Sequence, residues 1–372
     1  MKKEIVRNSN HELMRIIAMF FIVLGHVILK GHVLATNNPN LKTIYLLIVF
    51  AIIVHVNSYI LLTGYYQSKS TFKQKKVWQI LNASWFYRVI IVIIFLSLNL
   101  ISISKVQLLK DISYLPRDYW FITCYILLYC ISPFLNKLIN SLSHSDFKKL
   151  LIVGAIIVSV LPTITKGEVF NNNGYTLYNC VYLYLVGAYL RIYPVEKSYI
   201  FKRNSRTIYR LVLVSVFFLC ILLNFLFYNY AQQVKAYNGF FAYIAEIIDS
   251  ASLSYSNPII IVQSIVFFLF FTSIDIKSRF INWYAKLMLG IYMIHEQQYV
   301  REELYKWLGI IDGPKDTYRF LFYVIGAALL IFVTCSIIEL IRQIIFKFIY
   351  KRKFATKMRE KYYLWLKNIQ IK

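Results

Sequence analysis

Residues 13–35 read LMRIIAMFFIVLGHVILKGHVLA, and this stretch decides the class of fold. A helix needs about 20 mostly apolar residues to cross the roughly 30 Å hydrocarbon core of a bilayer, and this run is long enough. No A-x-A cleavage pattern follows it, so we expect the helix to be retained rather than removed as a signal peptide. The stretch therefore predicts a membrane-spanning helix that carries Arg15 and His26 within its length.

The composition of the whole chain supports the same class. Apolar residues make up 59% of the 372 residues and charged residues 16%, whereas soluble domains have about 45–50% and 25%. We predict an all-α polytopic membrane protein, with a membrane domain over residues 1–346. The basic tail, 347–372, is either an interfacial helix on anionic lipid or a frayed charged segment. About ten spans are predicted, at residues 13–35, 43–66, 79–103, 119–140, 149–166, 175–193, 209–230, 257–275, 283–300 and 318–346.

The basic residues predict the orientation of these spans. If the N-terminus is cytoplasmic, 30 of the 42 Lys and Arg residues fall in cytoplasmic segments and 11 in external ones, with Arg88 inside a span. Cytoplasmic loops of membrane proteins carry such an excess. Both termini are therefore predicted to be cytoplasmic, in a plasma membrane. The net charge of +25 then needs no nucleic acid partner.

Several chemistries find no support in the sequence. Walker, G-x-G-x-x-G and H-E-x-x-H motifs are absent, which argues against ATP-driven transport and zinc hydrolysis. The five cysteines lie in apolar runs without a C-x-x-C pair and indicate small buried residues rather than disulfides or metal ligands. We expect neither a metal site nor a permanently bound cofactor.

Arg15 and His26 are candidate functional residues, because ionisable groups inside a span are costly. Their residue numbers differ by eleven, which on a helix corresponds to about 16 Å of rise and comes within about 20° of three full turns. The two side chains therefore share a face, with Arg15 near the cytoplasmic mouth and His26 beyond mid-membrane. Glu12, three residues before Arg15, can pair with it. The alternative is a snorkelling arginine and a histidine that only packs between helices.

A second histidine lies at similar depth in the ninth predicted span. His295 ends the segment Gly290–His295, and with His26 it could face a common cavity, where imidazole suits proton transfer near neutral pH. The alternative is a boundary histidine bonded to a carbonyl. Glu296 follows directly and, on a continuous helix, would point about 100° away.

Basic and aromatic residues suggest binding functions at the two membrane faces. Lys73 and Lys76 in a cytoplasmic loop could bind a polyphosphate cofactor, although positive-inside bias alone produces such a loop. Arg88, inside the third span, could either meet a phosphate or snorkel to the cytoplasmic face. Trp120, at the outer edge of the fourth span, belongs either to an interfacial aromatic belt or to a surface on which sugar rings stack.

Four motifs together resemble one family, the family-3 membrane acyltransferases, bacterial enzymes that O-acylate cell-surface glycans. Arg15 and His26, ten residues intervening, look like its hallmark, and Leu62–Tyr66 resembles the end of its second span. Residues 119–122 resemble its Trp-Phe start of the fourth span, and residues 291–295 its Tyr-x-x-His segment. The resemblance covers the whole chain in order. Members often carry two arginines three apart after the second span, where this chain has Lys73 and Lys76; lysine keeps the charge but loses bidentate geometry.

The resemblance implies transfer of an acetyl group from acetyl-CoA to a hydroxyl of a glycan outside the cytoplasm. His26 would be the general base and His295 would orient or assist it. The CoA phosphates would lie near Arg15, Lys73, Lys76 and Arg88, and Trp120 and Tyr292 would contact the acceptor. Transfer could be direct or pass through an acyl-histidine intermediate.

Two other classes of function stay open at this level. A transporter or flippase of lipid-linked saccharides would also use buried charges, but it predicts Gly- or Pro-broken helices and related halves. A membrane sensor or assembly scaffold would need no paired polar groups deep inside the membrane. Turnover of a thioester by the purified protein would separate the three.

Overall fold

The structure is a computed structural model that describes residues 8–113, 119–166, 173–194, 206–235 and 239–351. These residues form helices and no strand, which confirms the predicted all-α class. The α-helices are α1 (Ser9–Lys30), α2 (Pro39–Ile52), α3 (His55–Gln67), α4 (Gln74–Ser97), α5 (Lys105–Asp111), α6 (Trp120–Ser141), α7 (His144–Ala155), α8 (Leu161–Ile164), α9 (Leu177–Ile192), α10 (Arg206–Val234), α11 (Phe240–Ala251), α12 (Pro258–Ser273), α13 (Arg279–Tyr284), α14 (Met288–His295), α15 (Gln298–Trp307) and α16 (Tyr318–Lys351).

Seven helical segments in the described part of the chain are long and apolar enough to cross a membrane. They are α1, α2 with α3, α4, α6, α7 with α8 through a π-helical turn at Ile156–Val160, α10 and α16. The predicted spans 175–193 and 257–275 correspond to α9 and α12, each of 16 residues, or about 24 Å. The total of ten spans and the cytoplasmic side of the termini remain predictions, and residues 352–372, most of the basic tail, lie outside the described residues.

The prediction of one continuous helix over 283–300 is wrong. A short 3₁₀ turn at Ala285–Leu287 separates α13 from α14, and α14 ends at His295. The side chain of Gln297 then accepts hydrogen bonds from the backbone N–H groups of Tyr299 and Val300 and so caps α15. A polar run interrupts the apolar pattern at this point, and local side-chain bonds to the backbone compete with helix continuation.

Helix α1 lies at the centre of the bundle and packs against α2, α3, α12, α14 and α16. Its apolar side chains are buried on several sides, including Met14, Val23 and Val27. By contrast α10 and α16 expose large apolar side chains such as Phe218 and Phe322, as expected for lipid-facing helices. The polar residues of α1 are therefore surrounded by other helices rather than by lipid.

Helices α3 and α9 cross at very close range because each contributes a glycine. A Cβ atom on Gly64 would lie 2.1 Å from the Tyr184 carbonyl oxygen, and one on Gly187 would lie 2.1 Å from the Leu61 carbonyl oxygen. Small residues permit such close backbone approach between membrane helices. The Gly64 motif noted in the sequence thus has a packing function.

We therefore expect Gly64→Ala to lower the free energy of unfolding by about 1–3 kcal/mol or more, the usual cost of overpacking. Thermal unfolding of the purified protein in detergent measures this. Gly326→Ala is the matched control, since nothing lies within 4 Å of a Cβ there and alanine favours a helix interior. Equal melting temperatures for the two variants would contradict the packing role.

Candidate active site

A cluster of three polar side chains joins α1 to the end of α14. His26 Nδ1 lies 3.1 Å from His295 Nε2 and 3.0 Å from Glu296 Oε1. His295 is fully buried and Glu296 is 5% exposed, while the His26 side chain keeps 20% of its surface accessible. The two histidines that the sequence placed at matched depth therefore meet, with a carboxylate beside them.

The partners of these rings assign their tautomers. His295 Nδ1 lies 2.6 Å from the Ile291 carbonyl oxygen; a carbonyl only accepts, so this nitrogen carries a proton and the Nε2 of a neutral ring is an acceptor. An ionised Glu296 also only accepts. His26 Nδ1–H must then be the donor to both, which leaves His26 Nε2 as an unprotonated nitrogen. That atom can accept a proton from a substrate.

Glu296 was expected to point away from His295, and the structure corrects this. Because α14 ends at His295, Glu296 (φ −96°, ψ 0°) is a C-cap residue and the 100° spacing of a continuous helix does not apply. Its carboxylate pairs with Lys30 of α1, and Arg301 Nη1 lies 3.8 Å from Oε2. A carboxylate this deeply buried is tolerated only with such partners.

Helix α14 is held in place by its backbone and by a glycine. Tyr119 donates a hydrogen bond of 2.7 Å to the Met293 carbonyl oxygen. On the opposite side, a Cβ on Gly290 would lie 2.4 Å from the Glu339 carboxylate of α16. Glu339 in turn forms a two-point ion pair with Arg342, whose Nε and Nη2 each lie 2.7 Å from its oxygens. These contacts fix the helix end that presents His295 and Glu296.

A polar cavity of about 310 Å³, here called the Arg15 cavity, opens between α1, α3, α4, α6 and α14. Its residues on α1 are one helical stripe that leads towards His26. Arg15 pairs with Glu12 at 2.6 Å, as predicted from their spacing. The walls are formed by His11, Glu12, Arg15, Met19, Ile22, Tyr59, Leu62, Thr63, Tyr66, Gln67, Lys76, Ile80, Phe121, Ile122, Tyr125, Met288, Leu289 and Tyr292.

The four predicted cofactor-binding cations separate into two groups. Arg15 and Lys76 line the Arg15 cavity. Lys73 is exposed at the start of α4 and its side chain does not line the cavity. Arg88 is 1% exposed, and its Nη1 and Nη2 donate to the carbonyl oxygens of Ser113 and Lys110 at 3.1 and 2.9 Å.

Arg88 lies apart from the wall of the Arg15 cavity, and its contact with CoA phosphates stays a prediction. Its guanidinium donates to the carbonyl oxygen of Lys110, in the last turn of α5, and to that of Ser113 just beyond the helix. That segment follows α4, on the side predicted to face outward. The long side chain of an arginine inside a span can extend towards either membrane face, and its position along the helix does not show which face it reaches.

The two predicted acceptor-binding aromatics also differ in position. Tyr292 lines the Arg15 cavity and packs against His295, with ring centroids 6.1 Å apart. It therefore lies between the cavity and the histidine pair. Trp120 is outside this cavity and contacts Tyr175 and Tyr255 instead.

A larger cavity of about 540 Å³ lies between α4, α14, α15 and α16, with His295 at one wall. Its other walls are almost entirely apolar, apart from Arg342 at one end, which is already paired with Glu339. Such walls offer little to bind phosphate groups. The Arg15 cavity is the better candidate for a charged substrate.

The donor atoms of His26, His295 and Glu296 lie within 4.8 Å of one another, close enough to hold a metal ion. Hydrogen bonds among them and the ion pair of Glu296 with Lys30 already satisfy these atoms. The arrangement can work as a base oriented by a carboxylate without a metal, and the expectation of no metal remains a prediction.

A helical membrane protein with an oriented histidine near a cavity that holds cationic side chains has the parts of a group-transfer enzyme. Sequence comparison establishes the class. The pattern that defines the family-3 acyltransferase domain matches residues 8–339, and the chain belongs to this acyltransferase family. Searches of curated proteins and of solved structures returned no match.

Proposed function

We propose that this membrane acyltransferase moves an acetyl group from cytoplasmic acetyl-CoA to a hydroxyl of a cell-surface or exported polysaccharide. His26 is the general base. The observation that carries the proposal is the course of the Arg15 cavity, which leads from two cationic side chains to Tyr292 beside the histidine pair. The enzyme is proposed to lie in the plasma membrane with both termini cytoplasmic.

The donor fits the cavity by charge and shape. The phosphates of CoA carry negative charge, and Arg15 and Lys76 can form charge-assisted hydrogen bonds with them. The pantetheine arm is long and thin, so it can extend between helices while the nucleotide stays at the mouth. Its thioester would then approach His26 along the α1 stripe of Arg15, Met19 and Ile22.

The proposed reaction balances with His26 alone as proton carrier. Its Nε2 takes the proton of the acceptor hydroxyl while the oxygen attacks the thioester carbonyl. The carbon–sulfur bond breaks, and the imidazolium returns the proton to the leaving thiolate. Glu296 and His295 hold Nδ1–H, which keeps Nε2 available and stabilises the transient positive charge. Acylation of His26 itself, followed by transfer to the hydroxyl, uses the same groups.

The purified protein in proteoliposomes tests this proposal directly. Release of free CoA from acetyl-CoA should depend on an added glycan, and mass spectrometry should find the acetyl ester on that glycan. A preparation that binds lipid-linked saccharide but releases no CoA would contradict acyl transfer and favour a transporter.

Charge reversal at Lys76 tests the donor site. Lys76→Glu should raise the KM for acetyl-CoA about tenfold or more, because a charge-assisted contact is worth about 1.5–3 kcal/mol and 1.4 kcal/mol is tenfold. Lys69→Glu is the matched control, since Lys69 is an exposed residue outside the cavity wall. Equal KM values in the two variants would place the phosphates elsewhere.

A further inference from the structure

A third, smaller cavity of about 170 Å³ has Gly25, the residue before His26, in its wall; we call it the outer cavity. It lies where α1, the α2–α3 junction and the segments that precede α9 and α12 come together, on the side predicted to face outward. The walls are Gly25, Leu29, Val49, Ile52, Ile53, His55, Asn173, Tyr175, Leu253 and Tyr255.

His55 is a buried polar residue in this wall whose hydrogen-bonding capacity is not met. Its surface is 6% exposed, and among the described residues its Nδ1 has no hydrogen-bond partner. Its other ring nitrogen points towards α1, 3.8 Å from where a Cβ of Gly25 would stand. Leaving a buried polar atom unpaired costs about 1–3 kcal/mol, so such an atom in a cavity wall suggests a ligand.

Two aromatic rings line the same cavity, and a third lies behind them. The rings of Tyr175 and Tyr255, both in its wall, lie 5.1 Å apart. Behind them the Trp120 ring lies 4.5 Å from Tyr175 and 6.3 Å from Tyr255. Aromatic surfaces with a few convergent polar groups are typical of small-molecule sites, and the C–H faces of sugar rings stack well on such surfaces.

The described wall residues also limit the charge of the ligand. None of them is Asp, Glu, Lys or Arg. A ring that carries a carboxylate or a phosphate would enter this cavity without a counter-ion, and burying an unpaired charge is costly. The composition of the wall therefore favours a neutral sugar.

Helix α1 connects this cavity with the proposed chemistry. Ile22 is the last residue of α1 in the wall of the Arg15 cavity, and Gly25 is the first in the wall of the outer cavity. His26 follows Gly25 and comes four residues after Ile22. Its backbone therefore lies within about one helical turn of both walls, although its ring is part of neither wall in this structure. A donor in one cavity and an acceptor in the other would meet beside it.

We propose that the outer cavity binds the neutral sugar ring that carries the acceptor hydroxyl, with His55 as a hydrogen-bond partner of that ring. This inference rests on the proposed acyl transfer. It places the acceptor ring against His55, Tyr175 and Tyr255, which the sequence motifs do not contain. Trp120 supports Tyr175 and Tyr255 from behind.

Simple glycosides test the charge preference. With acetyl-CoA as donor, the enzyme should acetylate methyl glycosides of glucose, galactose or N-acetylglucosamine and should use methyl glucuronide at least about tenfold less well. Preferred use of the glucuronide, or CoA release with polysaccharide but with none of the neutral glycosides, would overturn the inference. No CoA release with any acceptor would instead refute the proposed acyl transfer.

Two substitutions test the location. His55→Ala should raise the KM for the acceptor about tenfold or more, because one buried hydrogen bond to the ligand is lost. The KM for acetyl-CoA should stay unchanged. His55→Gln should restore part of the affinity for the acceptor. Gly25→Ala should act in the same direction by filling the cavity. It should fold, since its Cβ would lie 3.5 Å from Ile52 Cδ1 and 3.8 Å from His55 Nε2, ordinary contact distances.

The matched control is His32→Asn. His32 is an exposed histidine on the same predicted side of the membrane as His55, and asparagine tolerates its positive φ of 52°. Wild-type acceptor KM in His55→Ala, or an equal rise in the KM values of donor and acceptor, would overturn the assignment.

Discussion

His26→Ala is expected to lower acyl transfer by at least about 10²-fold, the lower range for loss of a general base. The hydrogen-bond pattern leaves its Nε2 unprotonated, and this nitrogen takes no part in the contacts among His26, His295 and Glu296. The variant should still insert in the membrane and bind acetyl-CoA, because the wall of the Arg15 cavity is unchanged. Glycan acetylation at equal membrane abundance is the measurement.

Comparison variants separate basicity from packing. His26→Gln keeps a polar side chain but no basic nitrogen, so it should be nearly as inactive as His26→Ala. His295→Ala should cost less, since His295 orients His26 rather than receiving the proton. Near-normal acetylation by His26→Ala, with retained binding of acetyl-CoA, would return His26 to a helix-packing role.

Glu296→Gln is the second substitution with a large expected effect, again at least about 10²-fold in transfer. The amide keeps the shape of the carboxylate but can donate to His26 Nδ1, which would favour the opposite tautomer and place the proton on Nε2. In serine proteases the analogous Asp-to-Asn change costs about 10⁴-fold for this reason. Removal of the charge also leaves Lys30 without its buried partner.

The experiment on Glu296 needs a control for charge alone. Glu303→Gln serves, because Glu303 is a more exposed carboxylate of α15 that pairs with Lys306 at 3.0 Å. Transfer by Glu303→Gln should stay near wild type, and acetyl-CoA binding should be normal in both variants. If Glu296→Gln is as active as Glu303→Gln, the tautomer of His26 is set by His295 alone.

Helical periodicity explains what was predictable about the site. The rise and the angle per residue are fixed inside a helix, so the shared face of Arg15 and His26 and the pairing of Glu12 with Arg15 follow from spacing alone. The intervening residues Met19 and Ile22 then fall on the wall of the Arg15 cavity. The approach of His295 to His26 was predicted only from their similar depth.

The same periodicity misled where a helix ended. Glu296 joins the cluster because α14 stops at His295, and a residue beyond a helix end is free of the 100° rule. Lys30 is one of the 11 basic residues that the charge count assigned to external segments, yet it pairs with Glu296. The polar run after His295 was the one available sign of the break.

The resemblance of four motifs pointed to the acyltransferase family, which the family match shows. Residue types and spacing by themselves determined the all-helical membrane class of this protein and the stripe of α1 that holds Arg15 and His26. Those properties depend on the chain's own hydropathy and on local helix geometry. Tertiary structure alone decided that Glu296 joins the two histidines, that Arg88 binds the end of α5, and that Lys76 rather than Lys73 reaches the cavity. Such contacts join residues far apart in sequence, and the packing of whole helices, including the glycine contact of α3 with α9, sets their distances.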